Sequence, residues 1–295
     1  MKRLVLIVLF ALILLPEAVF SQSFFAMRRQ RSLMFVGGIG TASYLGDLAN
    51  DGDYLQAKPT VNVGLQYYLN RKLGVRADVT WFQLSGSDAK AGAEGRVGRN
   101  LSFSSNNFEI SAVAIYNLYP QGRTFYQRPA FNFYVFAGVG LCYFNPTTEY
   151  QGKTYSLPPL QTELVSYSTF TPVIPGGLGV RFKLGPYMNL SFEGGYRLTF
   201  TDYLDDVSTV HHDASKFSDP IAAALSDRRG ELSLPLAADG VRRGNPNAND
   251  AYILFSAKLE YYLPVNFLQG SGGPKKVKTR RKAFYRYNKG GGLRK

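Results

Sequence analysis

Eight stretches of this chain alternate, residue by residue, between apolar and polar side chains. They are around 32–43, then 60–69, 73–84, 107–118, 131–144, 173–184, 187–201 and 251–263. A period of two is the repeat of a β-strand, whose successive side chains point to opposite faces. In the seventh stretch Met188, Leu190, Phe192, Tyr196, Leu198 and Phe200 share one parity, and Ser191, Glu193, Gly195, Arg197 and Thr199 the other. The segments are longer than the roughly five or six residues usual in globular sheets and reach the roughly nine to eleven that cross a bilayer at a tilt. One face of each is apolar with aromatics towards the ends, and the other carries glycine, serine and charge.

The connections sort by length. Asn70-Arg71-Lys72 and Gly185-Pro186 are tight turns, and the link at about 119–130 is intermediate. Between them lie long connections at about 45–58, 86–105, 146–171 and 202–249. Short turns at one end and long loops at the other are the pattern of a transmembrane antiparallel up-and-down β-barrel. An even count of eight strands returns both termini to the short-turn side, the periplasmic side by the usual rule. A ten-strand alternative places further strand structure in "GELSLPLA" (230–237).

The ends agree with export. Lys2 and Arg3 precede an apolar run from Leu4 to Leu15, Pro16 breaks it, and small Ser21 follows, so 1–21 reads as a signal peptide. No later stretch of about twenty apolar residues could form a spanning helix. The predicted organisation is a signal peptide at 1–21, an outer-membrane barrel in contact with lipid at 22–263, and a basic tail at 264–295. Cys142 is the single cysteine, which excludes a disulfide framework; it sits within a strand pattern as an inert small residue.

The formal charge of +13 is a local property. Residues 271–295 hold ten Lys or Arg and no acid, and the leader carries a net +1, leaving about +2 for the body. Lys275, Lys276, Lys278, Arg280, Arg281, Lys282 and Arg286 lie beyond a flexible Gly270–Gly273 joint, interleaved with Phe284, Tyr285 and Tyr287. In a periplasmic setting this block reads as a docking arm for an acidic surface, with a solvated tail as the plain alternative and no nucleic acid within reach.

The polar parity includes Arg76, Asp78, Glu109, Arg181, Lys183, Glu193, Arg197, Lys258 and Glu260. An eight-strand barrel is filled by its own side chains, so these charges should pair across strands as a plug. That leaves little room for a substrate, and neither catalytic nor cofactor- or metal-binding residues are assigned. His211 and His212 are adjacent in the longest loop, without the spacing or companions of a metal or catalytic site. Asp202, Asp205 and Asp206, around Tyr203, sit at the exit of the seventh strand. They read as a hydrated, capped loop, because the Asp-x-Asp-x-Asp spacing of a calcium loop is missing.

"FTDYLDDVST" (200–209) resembles a hallmark of the PorG-like family of outer-membrane barrels of the type IX secretion system. "GGIGTASYLGDL" (37–48), "NFEISAVAIYNLYP" (107–120), "YQGKTYSLPPLQTE" (150–163), "IPGGLGVRF" (174–182) and "RRGNPNANDAYILF" (242–255) are similar in the same order, over about 33–263. The resemblance implies a non-enzymatic barrel associated with a periplasmic ring built by a lipoprotein and its partner (PorK and PorN). Such a barrel ties a protein-secretion machinery, which in some bacteria supports gliding, to the outer membrane. It gives the loop of Asp202, Tyr203, Asp205 and Asp206 the place of the family motif and supplies no small-molecule substrate. The tail beyond Tyr262 matches no family pattern. A small passive channel, or a general barrel of the OmpA or OmpX kind, is the competing function, and a lipid-modifying barrel enzyme is a third.

Overall fold

The computed structural model of the protein describes residues 31–50, 58–92, 94–121 and 125–264. The leader and the cationic tail block fall outside them. Ten strands follow in chain order: β1 (Leu33–Leu45), β2 (Lys58–Tyr68), β3 (Leu73–Ser87), β4 (Ser102–Asn117), β5 (Phe131–Tyr143), β6 (Pro146–Tyr150), β7 (Lys153–Ser156), β8 (Phe170–Lys183), β9 (Met188–Thr199) and β10 (Ala251–Tyr262). Eight of them form a ring. β3 pairs with β2, β2 with β1, β1 with β10, β10 with β9, β9 with β8, β8 with β5, β5 with β4, and β4 with β3 again. Every pairing is antiparallel. Closure leaves the eight-strand ring without a free edge, so the backbone donors and acceptors of the wall are satisfied within it, as a membrane demands.

The parity predicted from sequence is the parity observed. On β9, Met188, Phe192, Tyr196 and Leu198 point out, while Asn189, Ser191, Glu193 and Arg197 are buried inside. Ile39, Ile110, Val139 and Leu178 stand two-thirds exposed on the outer wall. Large aliphatic side chains exposed around a whole circumference mark a surface built to face lipid. Among the described residues no helix is long and apolar enough to cross a membrane; the strands do the crossing.

The strand ends joined by short connections, after β2, β4 and β8, lie at one end, and those joined by long ones, after β1, β3 and β9, at the other. The Asn70 turn is self-made: its Oδ1 accepts from the Lys72 and Leu73 backbone N–H groups at 2.8 Å each. The Gly185-Pro186 turn is bracketed by the buried Arg128 guanidinium, which donates to the carbonyls of Gly185, Pro186 and Met188 at 2.7–2.8 Å.

Two strands beyond eight exist, but not where the ten-strand reading puts them. Residues 228–232 form a 3-10 turn and 233–237 are irregular, with Leu232, Leu234 and Leu236 exposed. The barrel has already closed, so this segment meets no free edge. The extra pair is the β6–β7 hairpin, which attaches to the outer end of β4 at Ser104–Thr147. Its turn residues Gln151 and Gly152 both have positive φ, 49° and 73°. That is the tight hairpin turn favoured by strand twist, and glycine at its second position is the sequence signal for it.

The interior is not uniformly polar either. Val113, Ile115, Tyr134 and Phe136 form an apolar cluster on the inward parity of β4 and β5. A Cβ on Gly179 would lie 2.3 Å from the Tyr134 ring, and one on Gly195 2.8 Å from Phe136. Glycine at these two wall positions lets the rings lie across the lumen.

Candidate functional site

Two buried polar assemblies occupy the molecule: a charge network inside the barrel and a knot beneath the long loops. The barrel strands bury four cations, Arg76, Arg181, Arg197 and Lys258, and four carboxylates, Asp78, Glu109, Glu193 and Glu260. Arg76 is the hub. Its guanidinium forks onto both oxygens of Glu193, with Nη2–Oε2 at 2.9 Å, and its Nε donates to Asp78 Oδ2 at 2.6 Å. Lys258 Nζ lies 2.5 Å from Glu193 Oε2, and the Tyr134 hydroxyl donates to Oε1 at 2.7 Å. Glu193 thus gathers donors from β3, β5 and β10 across the lumen.

Nearer the short turns, Arg181 donates to Glu260 at 2.6 Å, to Asn117 Oδ1 at 2.8 Å and to the Tyr68 hydroxyl at 2.9 Å. Asn189 and Ser191 complete the Glu260 carboxylate at 2.8 and 2.9 Å. Glu109 accepts from Tyr252 at 2.8 Å and lies 3.5 Å from Arg197. The charges pair across strands as predicted, with one correction. Lys183 is exposed at the strand end and donates to the Tyr126 carbonyl at 2.8 Å instead of entering the lumen. The cavity between Asn62, Asp78, Glu193, Arg197 and Lys258 measures about 10 Å3, the room of a single water.

The aspartate stretch is where sequence reading errs. Asp202, Asp205 and Asp206 are 8, 1 and 1 % exposed, so the loop is a buried knot and not a hydrated cap. The hydroxyl of Tyr44 lies 2.7 Å from Asp205 Oδ2 and 2.7 Å from Asp250 Oδ1. A hydroxyl has one proton to give, so one of the two carboxyls must itself carry a proton. Burial raises both; the charge of Asp205 raises Asp250 further, and that of Asp47 raises Asp205. Their second oxygens accept backbone N–H groups, Val207 on Asp205 and Leu204 on Asp250, at 2.9 Å each. Asp202, pushed up by burial to about 7, adds a third carboxyl.

Asp206 takes a left-handed backbone, φ 68°, which turns its carboxylate the other way. There it accepts from Thr162 and, at 2.6 Å, from the Tyr167 hydroxyl. Burial raises it to about 6 in spite of Arg243 nearby. Tyr203, half-buried, stacks on Tyr167 with ring centroids 4.6 Å apart. Glu163 ties the 144–169 loop to the same knot. It accepts from the Ser208 and Thr209 backbone at 2.9 Å each, from the Thr209 hydroxyl, and from Arg243 Nη1 at 2.7 Å. Burial alone would raise Glu163, but Arg243 and these N–H donors outweigh it and hold the carboxylate below its ordinary range. Among the described residues no three acidic, His or Cys side chains converge as metal ligands.

His211 and His212 part company. His211 is 1 % exposed, its ring nitrogens make no hydrogen bond, and burial with Arg243, Arg229 and Arg99 nearby pushes it down to about 4. His212 turns outward towards Asp239, at 3.5 Å.

Distant sequence segments meet in this knot. Tyr44 and Asp47 come from 37–48, Thr162 and Glu163 from 150–163, the aspartates from 200–209, and Arg243 and Asp250 from 242–255. These are four of the six segments that carry the family resemblance. Sequence reading missed Glu163, Arg243 and Asp250 because nothing local distinguishes one loop acid or arginine from another. The remaining prediction, the basic block from Lys275 to Arg286, lies outside the described residues.

A closed ring with a lipid-facing wall, a paired polar interior and loops sorted to one end defines an outer-membrane β-barrel. The chain belongs to the outer membrane protein beta-barrel domain family, whose model matches residues 10–217. No curated protein sequence matches it. Solved structures with similar architecture include Neisserial surface protein A, at 11 % identity, covering 78 % of this chain and 97 % of that one with a TM-score of 0.41. OprG from Pseudomonas aeruginosa shows 13 % identity, 80 and 97 % coverage and a TM-score of 0.40. The outer membrane enzyme PagL shows 12 % identity, 78 and 99 % coverage and a TM-score of 0.32. Likeness at these scores decides nothing about function.

Proposed function

We propose that this outer-membrane barrel is a plugged, non-enzymatic membrane anchor, and that what it anchors is a type IX secretion apparatus through its periplasmic ring. The observation that carries the anchor reading is the filled lumen. Four cations balance four carboxylates there, and the cavity among them holds no more than one water. A barrel so filled offers neither a conducting path nor a substrate chamber. The machinery itself is inferred from the sequence resemblance, and the gathering of four of its segments into one knot supports reading them as parts of a single device. In this reading the short turns and both termini face the periplasm. Residues 1–21 are removed on export, and the basic block Lys275–Arg286 reaches the ring lipoprotein and its partner.

Two measurements test it. The purified barrel in a planar bilayer should be electrically silent; steady conductance would replace the anchor by a channel. Cross-linking in intact cells should recover the ring proteins, and deleting 274–295 should reduce that yield while the barrel stays heat-modifiable. Recovery of no ring protein by the intact barrel would leave a general outer-membrane barrel.

A further inference from the structure

At the long-loop end, above the knot, a cleft of about 360 Å3 is lined by five arginines and one acid: Arg96, Arg99, Arg229, Arg242, Arg243 and Asp47. Three loops supply them. Asp47 follows β1, Arg96 and Arg99 lie on the short helix Glu94–Arg99, and the others belong to the 200–250 connection. Like charges from two separate loops are not brought together by local sequence, and they repel unless something compensates them.

The compensation within the protein is partial and divides the five into two sets. Arg99 and Arg243 are fixed. Arg99 is held by both oxygens of Asp88 and by the carbonyls of Asp47 and Arg243. Arg243 is held by Glu163 and by the carbonyls of Asp206 and Ser226. The other three are under-used. Arg96 reaches Asp88 Oδ1 and the Ala49 carbonyl but leaves Nη2 without an acceptor. Among the described residues the Arg229 side chain has only Asp227, at 4.0 Å, and its Nε makes no hydrogen bond. Arg242 is tethered through Nε to the Gly244 carbonyl at 2.7 Å, and the residue is exposed. The single acid on the wall, Asp47, is already occupied by the Asn245 backbone N–H at 2.6 Å. A neighbouring group registers the resulting field: Arg243, Arg229 and Arg99 all add to the effect of burial in keeping His211 neutral.

We propose that this cleft binds a phosphate monoester carried on a sugar, with Arg96, Arg229 and Arg242 as the ligand-facing cations on a frame set by Arg99 and Arg243. Planar guanidinium forks match phosphoryl oxygens two at a time, and several arginines around one concavity are the arrangement that recognises them. The cleft exceeds the volume of a bare phosphate and suits a phosphorylated sugar ring. Such a group could arrive free in solution or as the headgroup of a membrane glycolipid. The inference does not depend on what the barrel anchors.

The test uses the full-length barrel in phosphatidylcholine nanodiscs, titrated with glucose 1-phosphate and, as the uncharged control, with glucose. A second set of nanodiscs contains monophosphoryl lipid A or its dephosphorylated form. Saturable binding of glucose 1-phosphate, but not of glucose, is expected. The double variant Arg229→Gln/Arg242→Gln should weaken it by about tenfold or more, the scale of losing charge-assisted contacts. Lys183→Gln, an exposed cation at the opposite end, should leave it unchanged. Competition by monophosphoryl lipid A in the disc would assign the site to a membrane headgroup, and its absence to a soluble sugar phosphate. Binding that is equal for glucose, unaffected in a heat-modifiable double variant, or weakened as much by Lys183→Gln would overturn the proposal.

Discussion

The lumen and the loop knot are both buried and both polar, yet they solve the burial of charge in opposite ways. In the lumen four cations meet four carboxylates. In the knot six buried carboxyl groups, Asp88, Glu163, Asp202, Asp205, Asp206 and Asp250, meet two buried arginines, Arg99 and Arg243. The lumen is neutral by pairing. The knot is brought towards neutrality by retained protons and by hydroxyl and backbone N–H donors, which compensate a carboxyl without adding a cation. The retained protons make the second solution sensitive to pH. The strands that hold the lumen are closed by their own ladder, whereas the loops of the knot are held to one another largely through these side chains.

Breaking the lumen should therefore cost most. Glu193→Leu strands Arg76 and Lys258 together, and removing one partner of a buried pair costs about 3–5 kcal/mol. The expected outcome is a barrel that fails to assemble or loses heat-modifiability. Near-normal urea stability of the variant would show that the charges are not mutually dependent. On the outer wall, Phe192→Arg should cost about 2–4 kcal/mol near the bilayer midplane. Cysteine labelling from the lipid phase should reach the even positions between 188 and 200 and spare the odd ones.

Arg243→Met should act on the loop end and spare the lumen. It removes the donor shared by Glu163 and the Asp206 carbonyl, and hydrogen bonds to charged groups are worth about 1.5–3 kcal/mol each. Protease should then cut within 200–250 while the barrel remains folded; co-operative loss of both would mean that knot and lumen are one unit. Tyr44→Phe is smaller, about 1–3 kcal/mol, and its hallmark is directional. Without the bridging hydroxyl, Asp205 and Asp250 face each other directly, so the variant should suffer more at high pH than at low.

The mildest test is pH itself. Asp205 and Asp250 are faced by Tyr44, Asp47, Arg99 and Asp202, and Asp206 by Arg243 and Glu163. A carboxyl whose folded pKa is raised contributes stability that is complete below its unfolded value and is lost as pH rises through the folded value. With Asp206 at about 6 and Asp202 at about 7, amide exchange in 200–209 should accelerate as pH rises from about 4 to about 7 and level off above that. Glu163 is held down and acts in the other direction, at acid pH below that window. Exchange that slowed with rising pH, after correction for its intrinsic rate, would invert the account.

By itself the sequence determined the strands, their parity and the sorting of loops. Each of these is a property of neighbours along the chain: side chains two apart share a face, and a tight turn can be only a few residues long. Met188 to Phe200 declares its lipid face without reference to any other strand. The β6–β7 turn at Gln151-Gly152 is marked in the same local way, by the glycine at its second position. The tertiary structure alone decided which charges meet. Arg76 finds Glu193 117 positions away, and Tyr44 finds Asp250 206 positions away. It also decided that the aspartates of 202–206 are buried. In the sequence they look like any hydrated loop, because burial belongs to whatever comes to lie over a segment, and that is fixed only when distant loops close on it.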